Sequence, residues 1–104
     1  MSLIEAFFDK EAIIRPYLRY GGGAPVYGEP QVRACRLEPA PNVKIVYKNA
    51  SGSIVETVAS ALMFCTGEEI PVNSECTVGG RTMRVIKCPV MSGFAQHHLE
   101  VYLE

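Results

Sequence analysis

The residues of this 104-residue chain whose types could do chemistry are four cysteines, two adjacent histidines, two adjacent glutamates and a tyrosine–arginine cluster around a glycine run. Cys35, Cys65, Cys76 and Cys88 are 30, 11 and 12 positions apart. None has the short spacer of a zinc knuckle, and no Cys-x-x-Cys is present for redox chemistry. Three of the four have apolar neighbours, as in Met63-Phe64-Cys65 and Val85-Ile86-Lys87-Cys88, so the cysteines read as buried thiols acting as small hydrophobes. His97 and His98 precede an alternating strand pattern and point to opposite faces, which prevents them from chelating one ion together. His98 shares a face with Glu100 and is expected to pair with it. Glu68 and Glu69 are adjacent on a polar loop, without the facing geometry of an acid/base pair. Asp9 is the only aspartate, far in sequence from both histidines, and no nucleophile elbow is present. These residues predict no enzyme, no cofactor and no metal.

Gly21-Gly22-Gly23 lacks the lysine and Ser/Thr of a phosphate-binding loop and opens no helical pattern, so it is expected to be a plain loop. Around it, Arg15, Tyr17, Arg19, Tyr20 and Tyr27 are residue types enriched at interfaces. Val58 and Leu62, in a segment that is apolar on both faces, add more apolar surface than a single small core uses. These seven are the candidate interface residues.

The elements that must position them follow from patterning. Hydrophobic residues make up 48% and charged residues 20%, a globular composition for one domain spanning 1–104. Ten Lys+Arg against eleven Asp+Glu leave a net charge of −1, which excludes binding driven by phosphate neutralisation. There is no apolar run of the ~20 residues a membrane helix needs. Residues 1–10 lack a basic leader region, so a cytosolic chain is expected. Ser2 and Glu5 form a capping box before Leu3, Ile4, Phe7 and Phe8, predicting a short helix over 2–9. Residues 12–26 read as an extended arm with a Gly-rich loop, Pro16 lying at an edge or end. Strands are expected over 31–37 and 42–48, joined through the loop 49–52 to one long strand over 53–65. Gly79-Gly80 between 76–78 and 81–87 predicts a tight hairpin, and 98–104 alternates as a half-buried strand. The fold class is mainly β: a small antiparallel β-barrel or sandwich of five to six strands with one short N-terminal helix, the barrel occupying 27–104.

One set of features, in order, carries a resemblance. It runs through Tyr27-Gly28-Glu29-Pro30, Cys35-Arg36-Leu37, the strand pair around Gly52 leading to Ser60-Ala61, and Ile70-Pro71-Val72-Asn73-Ser74. It continues through Gly79-Gly80 with Met83-Arg84-Val85-Ile86 and closes on His97-His98-Leu99-Glu100-Val101-Tyr102-Leu103. Over residues 27–103 the chain resembles the small minor capsid and head-completion (head–tail connector, stopper) proteins of long-tailed phages and prophages. Their order and spacing carry the likeness rather than any one motif. The resemblance implies a small β-barrel that forms a ring of copies of itself below the portal. Its partners would be other virion neck proteins, on the portal or adaptor side and on the tail side. It would reside in the bacterial host cytoplasm during assembly and then in the virion neck. In that family a long loop between early strands projects, in some members, into the DNA channel. Here the corresponding segment, 38–53, reads as a tight hairpin. A heterologous ring requires two different sticky faces per copy. The alternative expectation is a monomeric β-barrel binding module holding a peptide or small ligand against Tyr17, Tyr20 and Tyr27.

Overall fold

The computed structural model describes residues 8–40, 42–92 and 97–104. These form eleven strands: β1 (Lys10–Arg15), β2 (Tyr17–Gly21), β3 (Ala24–Tyr27), β4 (Gln31–Pro39), β5 (Lys44–Lys48), β6 (Ile54–Val58), β7 (Ala61–Cys65), β8 (Glu75–Val78), β9 (Arg81–Lys87), β10 (Val90–Ser92) and β11 (His97–Leu103). Six of them close into an antiparallel barrel in the order β11-β7-β4-β1-β8-β9, with β9 returning to β11 through Lys87↔Tyr102 and Val85↔Leu103. The register shifts by one residue there, leaving Ile86 as a bulge. Val85 and Cys88 consequently both join the inner cluster, while Ile86 packs outside. Pro89 has no N–H and interrupts the ladder, so β10 resumes alongside the other half of β11, with the Pro89 carbonyl accepting from Glu100 N–H at 3.4 Å.

Alternation sets the barrel interior. In β1 Ala12 and Ile14 are buried while Glu11, Ile13 and Arg15 are not. A six-stranded barrel is narrow, so its interior must mix small side chains with large ones. Ala12, Ala61 and all four cysteines supply the small volumes between Met63, Leu99, Val101 and Leu103. The cysteines are core, as their neighbours predicted.

Two hairpins leave this barrel. The β2–β3 hairpin turns on Gly22 and Gly23, both at positive φ (63° and 82°). The expected Gly-rich loop is thus a two-residue hairpin turn, because only glycine takes two successive left-handed positions at little cost. The β5–β6 hairpin lays Ile45 and Tyr47 against Ile86 and Ala59 on the outside of the barrel, forming a second, smaller cluster.

Three further expectations are corrected. Of the helix expected over 2–9, residues 2–7 lie outside the described residues and Phe8 and Asp9 are not helical; the described residues contain no helix. The arm of 12–26 is no arm at its start, since β1 is a barrel strand paired to both β4 and β8. The single strand over 53–65 is two, broken at Ala59-Ser60, where Ser60 N–H donates to the Leu103 carbonyl at 2.7 Å. Ala59 serves the outer cluster, and Ala61, Met63 and Cys65 serve the barrel. One alternation feeds two cores, so period alone does not reveal the break. The hairpin turning through 49–52, between β5 and β6, and the Gly79-Gly80 hairpin form as expected, the two glycines at φ 58° and 79°.

Candidate functional site

The tyrosine–arginine cluster is assembled at one end of the barrel. Pro16 separates β1 from β2, and Gly28 N–H donates to the Pro16 carbonyl at 2.8 Å, closing the base of the β2–β3 hairpin. Tyr17 and Tyr27 are register partners there. Tyr17 N–H donates to the buried Ser74 Oγ at 2.9 Å, and its hydroxyl reaches the Ala50 carbonyl at 3.4 Å. Arg15 pairs with Glu75 at 2.8 Å, and its guanidinium carbon lies 4.6 Å from the Tyr27 ring centroid. Tyr20 is 45% exposed on the hairpin, and Arg19 beside it is exposed as well.

Between this hairpin, the tip of the β5–β6 hairpin and the barrel end lies a groove with two lobes of about 370 and 190 Å³. Tyr27, Asn73 and Arg84 line both lobes. The smaller lobe adds Tyr20, Pro25 and the loop 49–51, whose shape is held by Asn49 Oδ1 accepting from Ser51 Oγ and Ser53 N–H. The larger adds Glu75, Thr82 and Glu104. A chain of hydrogen bonds orients Arg84. Its Nη1 donates to Tyr47 Oη at 3.2 Å, Tyr47 donates to Glu104 Oε2 at 3.1 Å, and Thr57 donates to Glu104 Oε1 at 3.0 Å. The bond to Tyr47 raises the Arg84 pKa above its ordinary value, against the opposing effect of burial. Asn73, at φ 78°, donates from Nδ2 to the Lys48 carbonyl at 3.0 Å, while its Oδ1 is buried without a partner.

Sequence reasoning found Arg15, Tyr17, Tyr20 and Tyr27 but missed Asn73, Arg84, Tyr47 and Glu104. A signal existed for Asn73, since asparagine after Pro71-Val72 is the residue type, glycine aside, that most readily enters a left-handed turn. Nothing local marks Arg84, which is brought to the groove by backbone pairing with Glu75 on β8 and with Glu104 just beyond β11.

Val58 and Leu62 part company. Val58 is 44% exposed on the outward face of the β5–β6 hairpin, with Val46 and Ile54. Leu62 is 8% exposed and is therefore not an available contact surface. Its parity in β7 places it on the barrel's outer side, across from Glu38 and Tyr102, but the site is covered. A second exposed apolar area runs across the barrel wall, where Val32, Ile13, Thr77 and Thr82 are successive register partners on β4, β1, β8 and β9. Val32 and Ile13 are 63% and 48% exposed.

The remaining candidates are occupied structurally. Burial pushes the Cys65 thiol up to about 11 and Cys76 to about 12, and raises Cys35 and Cys88 as well. Such thiols stay protonated and unreactive near neutrality. His98 Nε2 lies 3.8 Å from Glu100 Oε2, the expected pairing. Arg33 donates to the carbonyls of Thr66 and Glu68, organising the acidic loop from below. Among the described residues no group of three or more His, Cys, Asp or Glu is placed to hold a metal ion, and no helix is long and apolar enough to cross a membrane. Comparison with family models, with curated proteins and with solved structures finds no match for this chain.

Proposed function

We propose that this chain is a non-enzymatic structural subunit of the phage head–tail junction. It would join copies of itself in a ring below the portal, with portal or adaptor proteins on one side and tail proteins on the other. It would move from the cytoplasm of the bacterial host into the virion neck. The observation that carries the reading is the pair of exposed apolar faces on different elements. One is Val46, Ile54 and Val58 on the β5–β6 hairpin, and the other is Val32 and Ile13 on the barrel wall. A ring of identical subunits uses head-to-tail contacts, so each copy must carry two unlike faces. The ordered resemblance over residues 27–103 supports the same reading. So does a net charge of −1, which suits a subunit beside a DNA conduit because it does not grip phosphates. DNA gating by the 38–53 segment is not part of the proposal, since Ile45 and Tyr47 clasp that hairpin to the barrel. Immunogold labelling of induced phage particles tests the role. Label concentrated at the neck is the expected result, and abundant particles without label, with the protein expressed, would overturn it.

A further inference from the structure

We propose that the two-lobed groove at the barrel end binds an extended, otherwise uncharged polypeptide segment carrying one side-chain carboxylate, with that carboxylate on Arg84 and the segment's backbone across Asn73. The inference does not rest on the neck assignment. It begins from an unfinished hydrogen-bond inventory. Asn73 Oδ1 is the one buried side-chain nitrogen or oxygen among the described residues with no partner. Asn73 itself is 8% exposed and lines both lobes. A buried acceptor left unpaired is destabilising, and a peptide backbone crossing Asn73 would relieve it once a small opening of the groove floor lets an N–H reach Oδ1, which solvent does not touch in the free chain.

The second observation is the state of the cations. Arg15 is neutralised by Glu75 and covers Tyr27. Arg84 forms no salt bridge among the described residues, yet it is held in place from behind by Tyr47, which is 7% exposed and is itself anchored by Glu104. Its bond to Tyr47 uses one of five N–H donors, leaving the planar fork that carboxylates match bidentately. No carboxylate lines the smaller lobe, where Arg84 is flanked by Asn49, Ser51, Tyr20 and Tyr27. The larger lobe carries Glu75 and Glu104 and repels a second anion placed there. One carboxylate therefore belongs in the smaller lobe, and the rest of the segment crosses the larger one. Tyrosine, asparagine, serine and arginine are the residue types that polypeptide-recognising surfaces favour, because they offer rigid aromatic area together with adaptable hydrogen bonds.

The test uses the full chain labelled with nitrogen-15 and an acetylated, amidated ten-residue peptide of Gly and Ser with a single central Glu. Saturable shifts of the Arg84 side-chain N–H and the Asn73 side-chain amide are expected. Arg84→Gln should weaken binding by about tenfold or more, and Arg81→Gln, at the Gly79-Gly80 hairpin, should change it less than about twofold. Tyr47→Phe, which keeps the charge but frees the guanidinium, should fall between the two. Absence of saturable shifts would overturn the proposal. So would equal losses in Arg81→Gln, equal binding of the same peptide with Gln in place of its Glu, or free glutamate binding as tightly as the peptide, which would assign the groove to small carboxylates.

Discussion

Val58→Glu and Leu62→Glu separate the contact surface from the fold. The two positions lie four residues apart in one sequence segment, yet Val58 is 44% exposed and Leu62 is 8% exposed. Removing the buried leucine forfeits about 1.5–3 kcal/mol of apolar burial. Placing a carboxylate in its covered site adds a desolvation cost of several kcal/mol, since neither residue directly across from it, Glu38 or Tyr102, is a cation and the diagonal Arg36 already pairs with Glu38. The sum, roughly 5 kcal/mol or more, is comparable to the whole stability of a typical small domain, about 5–15 kcal/mol. Leu62→Glu should therefore be largely unfolded or insoluble. Val58→Glu surrenders under about 1 kcal/mol of burial, because nearly half of the residue already faces water. Its carboxylate would sit directly across from Lys44, a cross-strand pair worth about 0.2–1 kcal/mol. Its net effect should lie within about 1 kcal/mol. Urea unfolding followed by far-ultraviolet circular dichroism measures both. On the proposed neck role, folded Val58→Glu should be depleted from the neck of phage particles. A Leu62→Glu protein with a near-native midpoint would refute the burial argument, as would a Val58→Glu protein that unfolds equally early.

Three other perturbations test the inside and the turns. Ile14→Ala empties a fully buried barrel site and should cost about 2–5 kcal/mol, whereas its exposed neighbour Ile13→Ala should cost under about 1 kcal/mol; equal urea midpoints would reverse the assignment of faces. Folded Cys65 and Cys76 hold their protons to about 11 and about 12, whereas the unfolded thiol releases its proton near 9.0. The resulting stabilisation is complete below pH 9 and is lost as pH rises towards those folded values, at up to about 1.4 kcal/mol per thiol per pH unit. Urea midpoints should thus fall between pH 8 and 10 more steeply than in Cys65→Ala/Cys76→Ala, and identical slopes would contradict the shifts. Gly79→Ala meets only backbone strain at φ 58°, and about 1 kcal/mol is expected. Gly67→Ala, at φ 106°, also brings a Cβ to 3.1 Å from Arg33 Nη1 and disturbs the clasp on the acidic loop, so thermal unfolding should show the larger loss there.

Much of the fold was legible because it is written in local rules. Gly79-Gly80 marks a two-residue turn wherever it lies, and the alternation of 98–104 marks a half-buried strand. Cysteines without ligand spacing among apolar residues go inside. The helix expected from Ser2 and Glu5 falls almost wholly outside the described residues. The misread segments share a cause, since each looked regular from within. Ala59 and Ala61 are in phase, so the break between β6 and β7 leaves no trace in period. Gly22-Gly23 reads as a plain loop, because the strands it joins are too short to announce a hairpin.

The candidate site divides along the same line. Composition and sequence neighbourhood alone brought Arg15, Tyr17, Tyr20 and Tyr27 together, because a hairpin keeps its members close. The sequence by itself determined the β class, the buried thiols, the tight turns and the near-neutral charge, all properties of single residues or of short stretches. Tertiary structure decided that the sheet closes, that Leu62 is covered while Val58 is not, and that Arg84, Tyr47, Asn73 and Glu104 meet at one groove. Those outcomes depend on which strands pair across 30 or more positions, as Cys35 with Cys65 and Tyr47 with Glu104 do. Pairing over such distances is settled by the total burial of the closed barrel, a quantity no local pattern contains.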